Sequence, residues 1–290
     1  MNTNSNIYTV IYSAVLVIVV AAILAFASEA LKGKQNENIK LETITKVLTA
    51  AAQADENFTI TEDTPILATY RDKVTDAYYI DYKGQKIGES MNLGKENLND
   101  IQVASTADLK KQNDIIKKIE AGDKEAEKDL KLPVYEFDIN GEFVTVIPCY
   151  GAGLWGPVWG YLAFASDGRT FEGAIFDHKS ETPGLGAKIA EEPFYSQFKG
   201  HSLTENGAFA VVKGGAHGDP HGVDAISGAS ITSQAVGKTI NTWVKYYLPY
   251  LDMGAFFTAI ANEKAETECT PAADSTAVNC PSQVDSVSVK

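Results

Sequence analysis

Hydroxyl groups and one carboxylate crowd the stretch VDAISGASITS, residues 223–233, which contains Asp224, Ser227, Ser230 and Thr232. Val236, Ile240, Val244 and Tyr247 follow at helical spacing and share one face. The hydroxyls therefore stand at a helix start, where backbone N–H groups lack intrahelical partners. Such a terminus favours an anion, most often a phosphate. Gly228 and Ala229 leave room for close approach. A plain capping role for Ser227 or Ser230 accounts for the same pattern without a ligand.

Two further segments have chemistry in them. In ETPGLG, Glu181 to Gly186, Pro183 and Gly184 impose a turn that brings backbone N–H groups and the Thr182 hydroxyl forward. Such partners suit a planar ligand whose edge alternates donors and acceptors, with Leu185 on its face. Glu181 either binds that ligand or braces the loop. In GLWGP, the glycines either permit a tight bend with the tryptophan packed inside, or let Leu154 and Trp155 flank the ligand.

Asp224-x-x-Ser227-Gly228-Ala229-Ser230 resembles the flavinylation motif of the FMN-binding domain family. ETPGLG and GLW match the same family in its own order, and the likeness covers roughly residues 132–247. The resemblance implies FMN bonded through its phosphate to Ser230, where the family usually has threonine; Thr232 is the alternative acceptor. It implies further contacts from Asp224, Ser227, Gly228, Ala229, Glu181, Thr182, Gly184, Leu185, Gly186, Leu154 and Trp155. Lys213 either approaches the flavin or is a surface lysine. The activity implied is an electron relay from NADH toward quinone in a membrane complex that exports sodium. Its partners are the other membrane subunits and a flavin transferase for maturation; the chain acts as a subunit of that enzyme complex, is not catalytic alone, and none of its residues is assigned a catalytic role. A membrane-anchored binding or scaffold module, with Ser230 only a helix cap, is the alternative of another class.

The elements that must position these residues can be read in turn. The 290 residues suffice for one sizeable core plus extensions, and a net charge of −13 excludes a nucleic-acid footprint. Ile7–Phe26 is twenty residues without a charge, the length needed to cross a hydrocarbon core. Ala25-Phe26-Ala27 resembles a signal-peptidase site, but Met1–Asn6 has no Lys or Arg, which favours an uncleaved anchor. Lysines after the span place the domain in the cytoplasm by charge alone; the family resemblance implies the periplasmic side of a bacterial inner membrane.

Residues 38–53 are expected to be a helix with Ile39, Ile44, Val47 and Leu48 on one face, and 77–82 a strand. Residues 106–131 read as one or two exposed helices around Gly122, without chemistry. Two runs flanking Asn140-Gly141 predict a hairpin with a type I′ turn, and strands over 161–165 and 170–177 a second. A strand over 208–213 precedes a Gly/Pro loop, 214–222, which cannot hold His217 and His221 on one helix face, so no metal is assigned. Cys149 is expected to be buried, and Cys269 and Cys280 to be a candidate disulfide pair.

The fold class that results is α+β, a twisted antiparallel sheet with packed helices, plus one N-terminal transmembrane helix. Its divisions are a tail 1–6, a transmembrane helix 7–27, a membrane-proximal helical linker 28–75, the FMN-binding domain 76–261, and a disordered acidic tail 262–290.

Overall fold

A computed structural model of the chain describes residues 6–92 and 97–268. The hairpin signal around Asn140-Gly141 is realised in β3 (Leu132–Ile139) and β4 (Glu142–Ala152). Asn140 and Gly141 have φ of 56° and 97°, the positive pair that a type I′ turn demands. β5 (Pro157–Phe164) and β6 (Phe171–His178) make the next hairpin. β1 (Val74–Ile80) and the two-residue β2 (Lys86–Ile87) complete a six-stranded sheet of order β2-β1-β3-β4-β5-β6. Every neighbouring pair in it is antiparallel.

The central strands are apolar on both faces because helices cover both. On one face lies the end of α1 (Asn6–Ala52), with Ile44, Val47 and Leu48 packed against Tyr135, Phe137, Val146 and Tyr161. α2 (Ile66–Lys73) adds Tyr70 to the same layer. On the other face lie α3 (Thr106–Glu120) and α5 (Ser230–Glu268). Val236, Ile240, Trp243, Val244 and Tyr247 of α5 meet Val134, Ile147, Cys149 and Leu162. Two hydrogen bonds fix the height of α5 on the sheet. Trp243 Nε1–H donates to Tyr150 O at 2.6 Å, and Tyr247 Oη–H donates to Pro133 O at 2.8 Å. Burial pushes the Cys149 thiol up to about 12, which fits an inert core cysteine. A short α4 (Glu192–Tyr195) follows β6.

Several elements differ from the sequence reading. The span and the amphipathic helix are one continuous 47-residue helix, and the part of residues 28–75 nearest the sheet supplies core side chains. The charged stretch is not wholly exposed. α3 buries Leu109, Asn113 and Ile116 and starts on a capping box between Ser105 and Asp108, so its charges mark only the outer face. The strand near 208 shrinks to β7 (Ala210–Val212), which pairs in parallel with β8 (Gly222–Asp224). α5 begins at Ser230 and runs on to Glu268, through the first part of the expected tail. The Cys269–Cys280 pairing lies outside the described residues.

Candidate functional site

The end of β6 runs through His178 into ETPGLG, and the β4–β5 turn is the GLWGP segment. Both loops face the first turn of α5. They meet at one side chain, Glu181, whose carboxylate is buried. Its Oε1 accepts from the Trp155 N–H at 2.9 Å, and its Oε2 accepts from the Thr232 hydroxyl at 2.8 Å. Burial acts to raise the Glu181 pKa. Hydrogen bonds from the Trp155 N–H, the Thr232 hydroxyl and the N–H groups of Gly156 and Leu154 outweigh it, and the group lies below its ordinary value. Glu181 is therefore an ionised brace.

Gly186 is glycine because of that brace. A Cβ there would stand 2.6 Å from Glu181 Oε2 and 2.8 Å from Thr232 Oγ1. Thr182 O accepts from the N–H groups of both Leu185 and Ala187 at 3.1 Å, which curls the loop onto itself. Gly153 N–H donates to Gly156 O at 2.7 Å and closes the GLW turn. Ser180 Oγ–H donates to Trp155 O at 3.1 Å, a second tie between the two loops.

The hydroxyls of the third segment have different fates. Thr232 is 1% exposed and committed to Glu181. Ser230 is half-buried and Ser227 exposed. Ser233 was not singled out by the sequence, yet it organises the turn. Its Oγ accepts from the Ile226 N–H at 3.1 Å and donates to Ala229 O at 3.0 Å. Its place four residues after Ala229, where a serine back-bonds to a carbonyl, was the available signal. The first helical bond runs from Ser233 N–H to Ala229 O at 3.0 Å, so the N–H groups of the preceding turn have no intrahelical acceptor. Gly228 takes φ +79°, which favours glycine, and a Cβ on it would touch Leu185 at 3.3 Å.

Asp224 is exposed, and its carboxylate accepts from the Ala216 N–H at 2.6 Å, closing the Gly/Pro loop rather than facing the helix start. Lys213 is exposed just beyond β7, where Val212 O accepts from the Ala225 N–H at 2.9 Å. It is thereby set beside the strand that leads into the motif. Trp155 is 68% exposed, so of the two readings of the GLW loop the packed-tryptophan one fails. Leu154, Leu185 and Ile231 are also exposed large apolar residues. A half-buried serine at a helix N-terminus thus shares that end of the fold with two loops that carry exposed apolar side chains and are tied to the helix through Glu181. These are the parts needed for a planar ring carried on a phosphate.

Residues 153–245 match the model of the FMN-binding domain family. That stretch is similar to FMN-binding domains.

All three motifs fall within or beside that match. The domain is similar to NqrC, the C-type subunit of the Na(+)-translocating NADH-quinone reductase. Against the Vibrio vulnificus (strain YJ016) protein, identity is 38% over 111 residues, 36% of this chain and 44% of the relative. Against the Neisseria meningitidis serogroup B (strain ATCC BAA-335 / MC58) protein, it is 38% over 112 residues, 37% of this chain and 43% of the relative. The chain thus spans less than half the length of these curated relatives. The crystal structure of the same reductase component from Parabacteroides distasonis ATCC 8503 superposes with a TM-score of 0.56 at 26% identity, covering 76% of this chain and 96% of that one. Shewanella oneidensis NqrC has the same fold, with a TM-score of 0.53 at 24% identity over 78% of this chain and 99% of that one. The antiparallel sheet with helices on both faces is therefore the fold of the NqrC structures.

Proposed function

We propose that this chain is a flavin-carrying electron-relay subunit of the Na(+)-translocating NADH:quinone reductase, with FMN bonded through its phosphate to Ser230 Oγ. One observation carries the assignment. Of the two candidate acceptors, Ser230 is half-buried at the α5 start, two residues after Gly228, which the Leu185 side chain approaches, whereas Thr232 is sealed against Glu181. Bound there, FMN supplies the redox chemistry. The chain's own residues hold, orient and shield it. The α5 N-terminus balances the anionic phosphate, Trp155, Leu154 and Leu185 flank the ring, and Thr182 with the backbone from Gly184 to Gly186 serves its polar edge. A covalent tether suits a carrier that must not lose its flavin between partner centres.

The G subunit of the Rnf-type ion-translocating complex has a related layout. The uninterrupted GLWGPVWGYLAF and the charged stretch before β3 favour NqrC. α1 is long and apolar enough to cross a membrane, and its apolar side chains from Ile7 to Phe26 are exposed. A single pass would hold the domain on the periplasmic side of the inner membrane, among the other subunits of the reductase. A flavin transferase would attach the FMN.

Co-expression with a flavin transferase tests the reading. The denatured chain should fluoresce on a gel under ultraviolet light and gain the mass of one FMN unit. Ser230→Ala should abolish the adduct, and peptide mapping of the wild type should find it on Ser230 and not on Thr232. A protein that stays unmodified in the presence of an active transferase would leave the scaffold alternative.

A further inference from the structure

We propose that Glu181 is the positioning residue of the flavin site, registering the ring-binding loops against the phosphate-bearing helix. The inference rests on the functional reading above and adds a role to a side chain that need not touch the flavin. The GLW loop, ETPGLG and the α5 start belong to three separate stretches of chain. Their relative placement decides whether a ring tethered at Ser230 reaches Trp155 and Leu185.

Among the described residues, one carboxylate joins all three. It comes from ETPGLG itself, takes the Trp155 N–H on one oxygen and takes the Thr232 hydroxyl on the other. Its backbone is fixed too, because the Glu181 N–H donates to His178 Nδ1 at 3.3 Å. The acceptor atoms explain why a carboxylate serves here. Two oxygens accept from donors on two elements at once, and the burial of the group makes each of those bonds expensive to lose. Thr232 is two residues from Ser230 on the same helical turn. Fixing its side chain toward Glu181 turns Ser230 toward the outside, so the same contact that orders the loop presents the acceptor.

Attachment has a simple balance. The Ser230 oxygen bonds to the flavin phosphorus of a flavin dinucleotide donor. The bond from that phosphorus to the bridging oxygen breaks, the nucleoside monophosphate leaves, and the serine proton passes to water. Nothing is oxidised or reduced. Glu181 takes no part in this exchange except through the placement of Ser230.

The test uses the full chain co-expressed with a flavin transferase, as wild type, Glu181→Ala and Glu181→Gln. Glutamine keeps one oxygen for the Trp155 N–H and offers an N–H₂ to the Thr232 hydroxyl, so it conserves the geometry without the charge. Intact mass reads flavin occupancy, peptide mapping reads its position, and flavin emission of the native protein reads ring seating against the Trp155 indole. Thermal melting identifies variants that remain folded. Wild type and Glu181→Gln should be occupied at Ser230 with quenched emission. Folded Glu181→Ala should lose at least fivefold in occupancy, or carry flavin whose emission is raised severalfold. Glu181→Ala with wild-type occupancy and wild-type emission would overturn the proposal. If Glu181→Ala does not fold, Thr232→Val gives the answer by removing one arm of the brace. Its emission should rise, and wild-type emission there would overturn the proposal equally. An unmodified wild type would instead remove the functional reading, a result that no comparison among variants can imitate.

Discussion

At the scale of single residues, protonation of Glu181 gives the most direct prediction. Its folded pKa is depressed below the ordinary 4.5, with burial opposing and four hydrogen bonds prevailing. A depressed carboxylate contributes stability that is fully present above the unfolded value and is lost as pH falls through the folded one. Glu181→Gln should therefore melt below wild type at pH 7, by an amount on the order of 1–2 kcal/mol for the charge-assisted bonds replaced. The gap should close as pH falls below the ordinary 4.5 and through the lowered folded value, and thermal melts of both proteins across the acid range would measure it. A gap that widened on acidification would contradict an ionised brace. The sequence carried the residue types of this site but not their assignment. Ser230 is the acceptor by its place in the motif, Thr232 offers the same hydroxyl two positions on, and burial adds a second distinction between them. Glu181 was open between ligand and brace for the same reason, since its two partners lie 26 and 51 residues away along the chain. Asp224 is a site residue by its place in the motif, and its Oδ1 also accepts from the Ala216 N–H, a contact set by a loop that has no periodic signal.

At the scale of elements, the loops are held by close packing at glycine and by one ion pair. Gly186→Ala would drive a methyl into two buried, mutually bonded oxygens, so neither neighbour can move without breaking the brace. The expected cost is about 1–3 kcal/mol, together with loss of flavin seating. Gly141→Ala, in the β3–β4 turn at the opposite end of β4 from the site, is the control. It has φ +97° and no atom near the added carbon, and should cost only the left-handed backbone penalty of about 1–2 kcal/mol, with ring emission unchanged. Chemical denaturation and flavin emission of the two variants would separate these effects. Below the loop, Asp177 near the end of β6 pairs with Lys46 of α1, which also bonds Glu42 at 2.5 Å. Burial acts to lower the Lys46 pKa, but the two carboxylates overcome it and hold it above 10.5. The pair's stabilisation is complete below that value and fades as pH rises through the raised one. A double-mutant cycle of Lys46→Ala and Asp177→Ala should give a coupling of about 1 kcal/mol, since both side chains are mostly shielded from solvent. The hairpins were legible because Asn140-Gly141 and Asp167-Gly168 are local signals. The half-buried α3 was not, because Leu109 and Ile116 are sparse among lysines and their partners come from distant strands.

At the scale of the molecule, α1 has two ends with opposite environments, and the sequence showed each end without their continuity. Ile7 to Phe26 are apolar and exposed, while Ile44, Val47 and Leu48 are fully buried on the sheet. The apolar run and the amphipathic period are distinct patterns, and the polar stretch between them, KGKQNEN, reads as a break in sequence although it continues the helix. The two ends should therefore respond differently to truncation. Removing residues 1–32 deletes the candidate span and leaves every buried α1 side chain, so the remaining protein should be soluble without detergent and melt cooperatively. Removing residues 1–52 also strips the layer from one face of the sheet. Burial of each large aliphatic side chain contributes roughly 1.5–3 kcal/mol, so three of them supply about 4–9 kcal/mol. That is most of the total stability of about 5–15 kcal/mol that a domain of this kind has. The same cut uncovers Tyr135, Phe137 and Tyr161, which would be left as a wide apolar surface prone to association. The longer truncation should then show no cooperative melt by circular dichroism and should aggregate on size exclusion. A sharp transition within a few degrees of the shorter truncation would mean that α1 rests on the sheet without supporting it.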